Sequence, residues 1–146
     1  VIHAPHEIIA RRLGWAGLLP FCAAPVAILC QPAWAAQAGS LLADYAFAIA
    51  CFLTGIWWGL ALIRRDSAAL LFSNGLFLAL FACRALLPES GFLIAVAVLL
   101  LAILAVERSH PLFRRQPSYY RKLRARLTAV ACGSTLMTSV LMTYIG

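Results

Sequence analysis

From Leu41 to Ile63 the chain runs for 23 residues with one formal charge, Asp44. Such a stretch is long enough to cross a bilayer as a helix, which takes about 20 residues. A small water-soluble domain has nowhere to hide it. The chain is 64% hydrophobic and 12% charged over 146 residues, whereas soluble domains sit near ~45–50% apolar and ~25% charged. A domain of about 150 residues buries only about 70% of its surface, so the excess must face lipid. The sequence therefore describes an integral membrane protein.

Four more apolar runs flank the first. The expected spans are 13–30, 41–63, 69–87, 92–106 and 123–145, with a basic loop at 107–122, all within one membrane domain covering 1–146. The first contains Gly14, Gly17, Pro20 and Pro25, which predict a kink whose freed carbonyls find donors on neighbouring helices. Gln31 to Ser40 is uncharged, with Pro32 and Trp34, and reads as a short interfacial loop. Arg64-Arg65-Asp66 ends the second span, and Pro88-Glu89-Ser90-Gly91 reads as a tight turn after the third. The fourth, Phe92 to Val106, is almost purely aliphatic and is expected to be the most lipid-exposed helix. Ser118, after Pro117, is expected to cap the helix that becomes the fifth span. The fold expected is an all-α bundle of five transmembrane helices, with the second span central and the fifth beside it.

Eleven of the twelve Lys and Arg residues fall on one side of this arrangement; only Arg84 does not. That asymmetry places the N-terminus in the cytoplasm, or its organellar equivalent, and the C-terminus on the periplasmic or equivalent side. The formal charge of +7 then reads as topology control and attraction to anionic head groups, and nucleic acid is not an expected partner. No cleavable signal peptide is visible, and the chain starts at Val1, so residues upstream are expected.

Apart from Arg124 and Arg126 at the mouth of the fifth span, Asp44 and Arg84 are the two formal charges inside the spans. The short Arg64–Ser67 loop makes their helices antiparallel neighbours, so the two should meet as an ion pair near the outer face. A structural clasp is the plainer account and a polar site or proton path the sharper one. Cys51, Gly55 and Gly59 repeat every four residues and predict a close helix–helix contact through the second span. In the fifth span Thr128, Cys132, Thr135, Ser139 and Thr143 share a face that should bond across to a neighbour or back to its own carbonyls. Trp57, Trp58, Tyr119 and Tyr120 fall at a common level and read as an aromatic belt. With His110, Arg121 and Lys122 they are candidates for interfacial lipid or pigment contact.

The five cysteines all lie in apolar runs, are odd in number and form no CxxC, so they read as packing residues. All three histidines (His3, His6 and His110) lie outside the spans, so no pair can clamp a haem in the bilayer. With no catalytic triad pattern, Walker loop or glycine-rich nucleotide turn, the expectation is a non-enzyme without metal or cofactor, contacting lipid.

Three segments carry a resemblance: Leu13-Gly-Trp-Ala-Gly-Leu-Leu-Pro-Phe21, Phe52-Leu-Thr-Gly-Ile-Trp-Trp-Gly-Leu-Ala-Leu62, and Pro117-Ser-Tyr-Tyr-Arg-Lys-Leu-Arg-Ala-Arg-Leu-Thr128. Together they resemble the transmembrane-protein-69-like family of small bacterial and mitochondrial multi-span proteins, a domain of unknown function. The family pattern Gly-x-His-Trp-Gly reads Gly55-Ile-Trp57-Trp58-Gly59 here, so the intramembrane histidine is replaced by Trp57. The resemblance implies a five-span protein of the bacterial inner membrane, or of the mitochondrial inner membrane in a eukaryote. It implies no activity.

The function expected on these grounds is a non-enzymatic accessory or assembly subunit packing against a larger membrane complex, plausibly in energy conversion. The alternatives are a small transporter or channel using Asp44, Arg84 and the hydroxyl face of the last helix, and a lipid- or pigment-contacting subunit.

Overall fold

The computed structural model describes residues 5–113 and 116–145. His3 and the loop arginines 114 and 115 lie outside them. Six helices follow in order: α1 (Pro5–Ala16), α2 (Leu19–Cys30), α3 (Ala35–Arg64), α4 (Ser67–Leu86), α5 (Glu89–Ser109) and α6 (Ser118–Ile145). Single 3₁₀ turns at Pro32–Trp34 and Pro111–Phe113 complete the path, and the described residues contain no strand. With α1 and α2 counted together as Pro5–Cys30, five helical segments are long and apolar enough to cross a membrane.

The first span is broken rather than kinked. α1 stops at Ala16 and α2 starts at Leu19, with Pro20 in its first turn, where a missing N–H is harmless. Tyr45 on α3 donates its hydroxyl to the Gly17 carbonyl at 2.9 Å, so the break is tied to the neighbouring helix. Pro25 is accommodated inside α2 and buried.

The second span begins earlier than expected. After the Pro32–Trp34 turn, α3 starts at Ala35, so most of Gln31–Ser40 is helix and not loop. Ala35, Ala36, Gln37 and Ala38 are strong helix formers, and their propensity outweighs Gly39 and Ser40. At 30 residues, α3 is about 45 Å long and outreaches a hydrocarbon layer of about 30 Å. Its end is a tight reversal: Arg65 adopts a left-handed φ of 54° and Asp66 N–H bonds Ala61 O at 2.9 Å. Asp66 then caps α4 by accepting from the Ala69 N–H at 3.0 Å. Pro88-Glu89-Ser90-Gly91 likewise opens a helix. Pro88 takes the cap position of α5, and Glu89 sits in the positive first turn.

Two packing expectations are overturned. The aliphatic fourth span, α5, is central: Phe92, Leu93, Val96, Ala97, Leu100 and Ile103 are all at most 2% exposed. It packs most extensively on α6 and also on α3. The peripheral helix is α4, which buries only Ser73 and Leu80. A helix that is apolar all round suits either surrounding, because lipid tails and a bundle core have the same polarity.

The second correction concerns α3. Its inward stripe is Ala43, Ala46, Ala50, Leu53, Trp57 and Ala61, and alanine supplies the close approach. A Cβ built at Gly55 or Gly59 meets nothing within 4 Å. These glycines therefore do not pack against the rest of the chain, and half-buried Cys51 lies at the edge of the core. The close glycine contacts are Gly14, whose Cβ would come within 2.9 Å of Leu127, and Gly39, whose Cβ would overlap the Met142 side chain. Both seat α6. Of the hydroxyl face of α6, Ser139 bonds across to α5, as does the Cys132 thiol beside it.

Candidate functional site

At the basic end of the bundle three helices converge on one carboxylate. Glu107 lies in the last turn of α5, Trp57 on the inward stripe of α3, and Arg124 in the second turn of α6. Trp57 Nε1 donates to Glu107 Oε1 at 3.1 Å, and Arg124 Nε donates to Glu107 Oε2 at 3.1 Å. The side chains of Arg124 and Glu107 are only 11% and 9% exposed. Each carboxylate oxygen thus serves a different helix, and two buried charges cancel where neither could stand alone. Two aromatics flank the site: the Trp57 ring stacks on Phe72 of α4 at 6.1 Å and lies tilted against Phe113 of the Pro111–Phe113 turn at 5.1 Å.

This cluster was not anticipated. Glu107 reads as the start of a loop and Arg124 as one of its charges, because the apolar run stops at Val106. α5 in fact continues three residues further, to Ser109. One signal was available: Glu107 is the only acid between residues 107 and 126, among seven Lys and Arg residues. A carboxylate so placed has a strong reason to be ion-paired.

The placement of Trp57 corrects the aromatic belt. It is 3% exposed and serves as a core hydrogen-bond donor. Trp58, about 100° further round the helix, is exposed. Tyr119 and Tyr120 are half-buried, and Arg121 and Lys122 are exposed. His110 is half-buried too; its Nδ1 accepts the Leu112 N–H at 3.2 Å, which shapes the Pro111–Phe113 turn. It borders a recess of about 360 Å³ shared with Trp57, Phe72 and Ser109.

Near the other end, Asp44 and Arg84 form the expected pair, with Arg84 Nη2 to Asp44 Oδ1 at 2.6 Å and Nε to the same oxygen at 3.2 Å. Arg84 is 29% exposed and Asp44 63%. The guanidinium also lies 5.6 Å from the Phe92 ring centre, which adds a cation–π contact.

The hydroxyls of α6 are divided in their bonding. Ser139 crosses to Ser90 O on α5 at 2.9 Å, and Cys132 reaches Ala97 O at 3.4 Å. Thr135 and Thr143 bond back to their own helix. Thr128 and Thr138 are buried with no partner for their hydroxyls.

On the outside of the bundle, between α3 and α4, lies a groove of about 270 Å³ lined by Cys51, Thr54, Gly55, Ser73 and Asn74 among others. It is open because Gly55 has no side chain to fill it. Asn74 is exposed there, and its amide nitrogen donates to Leu70 O at 3.1 Å.

Residues 6–140 match the family described as Protein of unknown function (DUF3429). The chain belongs to the DUF3429 family. It is also 30% identical over 139 residues to Transmembrane protein 69 of Xenopus tropicalis, covering 90% of this chain and 55% of that protein. It therefore spans about half the length of this curated relative. No solved structure matches. For this DUF3429 chain, the buried Trp57–Glu107–Arg124 knot, the outer ion pair and the α3–α4 groove are the features on which a function can be built.

Proposed function

We propose that this DUF3429 protein is a non-enzymatic accessory or assembly subunit of a larger complex in a bacterial or mitochondrial inner membrane. Its basic ends face the cytoplasm or organellar interior, following the distribution of Lys and Arg. The observation that carries the reading is the α3–α4 groove. There an exposed Asn74 amide stands beside a glycine edge, Gly55, that none of the described residues covers. Lipid tails cannot bond the amide, and they gain nothing from the missing side chains. A transmembrane helix of a partner does both, because small residues permit close approach and polar side chains bond across it. The weak burial of α4 fits a helix whose second face belongs to another subunit.

The transporter reading has less support. Ser139 and Cys132 of α6 are spent on α5 carbonyls, Thr135 and Thr143 on their own helix, and Asp44 and Arg84 on each other, which leaves few free polar groups to line a pathway.

A photo-crosslinking residue at Gly55 tests the proposal, with a control at exposed Val140 on α6. The expected result is a discrete adduct from Gly55 to a second polypeptide, absent from position 140 and lost when Asn74→Leu is added. Crosslinks only to lipid, or a lone monomer in mild detergent, overturn it. Crosslinks between two copies replace the accessory role with self-association.

A further inference from the structure

A second cavity, independent of the α3–α4 groove, opens where the first span is broken. It holds about 290 Å³ between α1–α2, α3 and α6. Its walls are apolar except for Tyr120, Arg124 and Thr128, and its lining residues Leu13 and Phe52 are exposed on the outside of the bundle, so it is entered sideways from the membrane. Gly14 and Gly17, at the helix break, form part of one wall.

Two polar groups in this wall lack partners. Arg124 commits its Nε to Glu107, but its Nη2 is buried without an acceptor among the described residues. Thr128, one turn further along α6, is 2% exposed and its Oγ1 is also without a partner. Both residues line the cavity, and because the two atoms have almost no accessible surface, a small side-chain shift opens them to it. Buried polar atoms are nearly always hydrogen-bonded, and an orphan in a wall of Leu and Phe marks a place for a ligand atom. Arginine can only donate, and a threonine hydroxyl can donate, so the missing atom is an acceptor. Glu107 already neutralises Arg124, so an uncharged acceptor completes the site without adding a buried charge. Arg124 lies about 9 Å along α6 from its start, which puts it near the boundary of head groups and chains.

We infer that this cavity binds a lipid-soluble molecule through a neutral carbonyl oxygen held by Arg124 Nη2 and Thr128 Oγ1, with its apolar tail between α1–α2 and α3. Two membrane constituents share that chemistry: a quinone, and the ester carbonyl of a diacyl lipid. The site is built from this chain alone.

Native mass spectrometry of the purified chain in mild detergent separates the cases. The probes are n-decyl-1,4-benzoquinone, an ester-linked diacyl phosphatidylglycerol, and its ether-linked dialkyl analogue. The expected result is saturable one-to-one binding of a carbonyl-bearing probe, weakened about fivefold by Thr128→Val, the loss of one hydrogen bond. Ala131→Phe, which fills the cavity, should abolish it. Binding of the quinone identifies the first source. A preference of about fivefold or more for the ester over the ether lipid identifies the second. Thr128→Val is nearly isosteric, so it remains informative if Ala131→Phe fails to fold. Absence of saturable binding, equal binding of ester and ether lipids with no quinone bound, or wild-type affinity in Thr128→Val overturns the assignment.

Discussion

Two arginine–carboxylate pairs of almost identical chemistry lie in opposite surroundings. Asp44–Arg84 joins α3 and α4 with its carboxylate largely exposed, while Glu107–Arg124 joins α5 and α6 with both side chains about nine-tenths buried. In the first, two charged groups can reach the head-group layer by bending away, so their attraction is optional. In the second, withdrawal is blocked by packing, and a third helix is bound in through Trp57. The difference teaches that an ion pair acquires structural weight from what removal of one partner leaves behind.

Glu107→Ala probes the comparison most strongly. It strands Arg124 in the core and leaves the Trp57 N–H without its acceptor, so a loss of about 3–5 kcal/mol is expected, read from reversible denaturation in mixed micelles. Should this variant prove no less stable than Asp44→Ala, the contrast between the two pairs collapses. Trp57→Phe keeps most of the ring and removes one hydrogen bond to a charged acceptor, for a loss of about 1.5–3 kcal/mol. A change in stability near zero would show that the indole is held by packing on Phe72 and Phe113 alone. For the outer pair, a double-mutant cycle of Asp44→Asn with Arg84→Gln should give a coupling of about 1 kcal/mol or less. A coupling that matches Glu107–Arg124 would mean that the pair sits in hydrocarbon. Smallest of all, Gly55→Ala should raise stability by up to about 1 kcal/mol, because the added methyl enters open space and alanine favours helix. Gly39→Ala must displace Met142 and should bring no such gain; thermal melts of the two variants side by side give the sign.

Much of the architecture was readable before any coordinates. Five apolar runs, an irregularity in the first span around its prolines and an Asp44–Arg84 contact all follow from length, proline chemistry and the short α3–α4 connection, although the first span proves broken where a kink was expected. The candidate site was far less legible. Glu107 looked like loop because hydropathy ends at Val106, although helical hydrogen bonding continues to Ser109. Trp57 and Trp58 looked alike because composition does not distinguish an inward from an outward aromatic on one helix.

What the sequence by itself determined, then, is that this chain lives in lipid as a set of helices, since hydrophobic length and charge placement are local properties of the chain. Which helix sits at the centre, which glycines are close contacts, and which charges are buried were decided only by tertiary structure. The physical reason is that hydrocarbon outside and side chains inside offer nearly the same polarity, so burial leaves little trace in composition. Packing shape sorts the helices, placing α5 in the core and α4 at the edge.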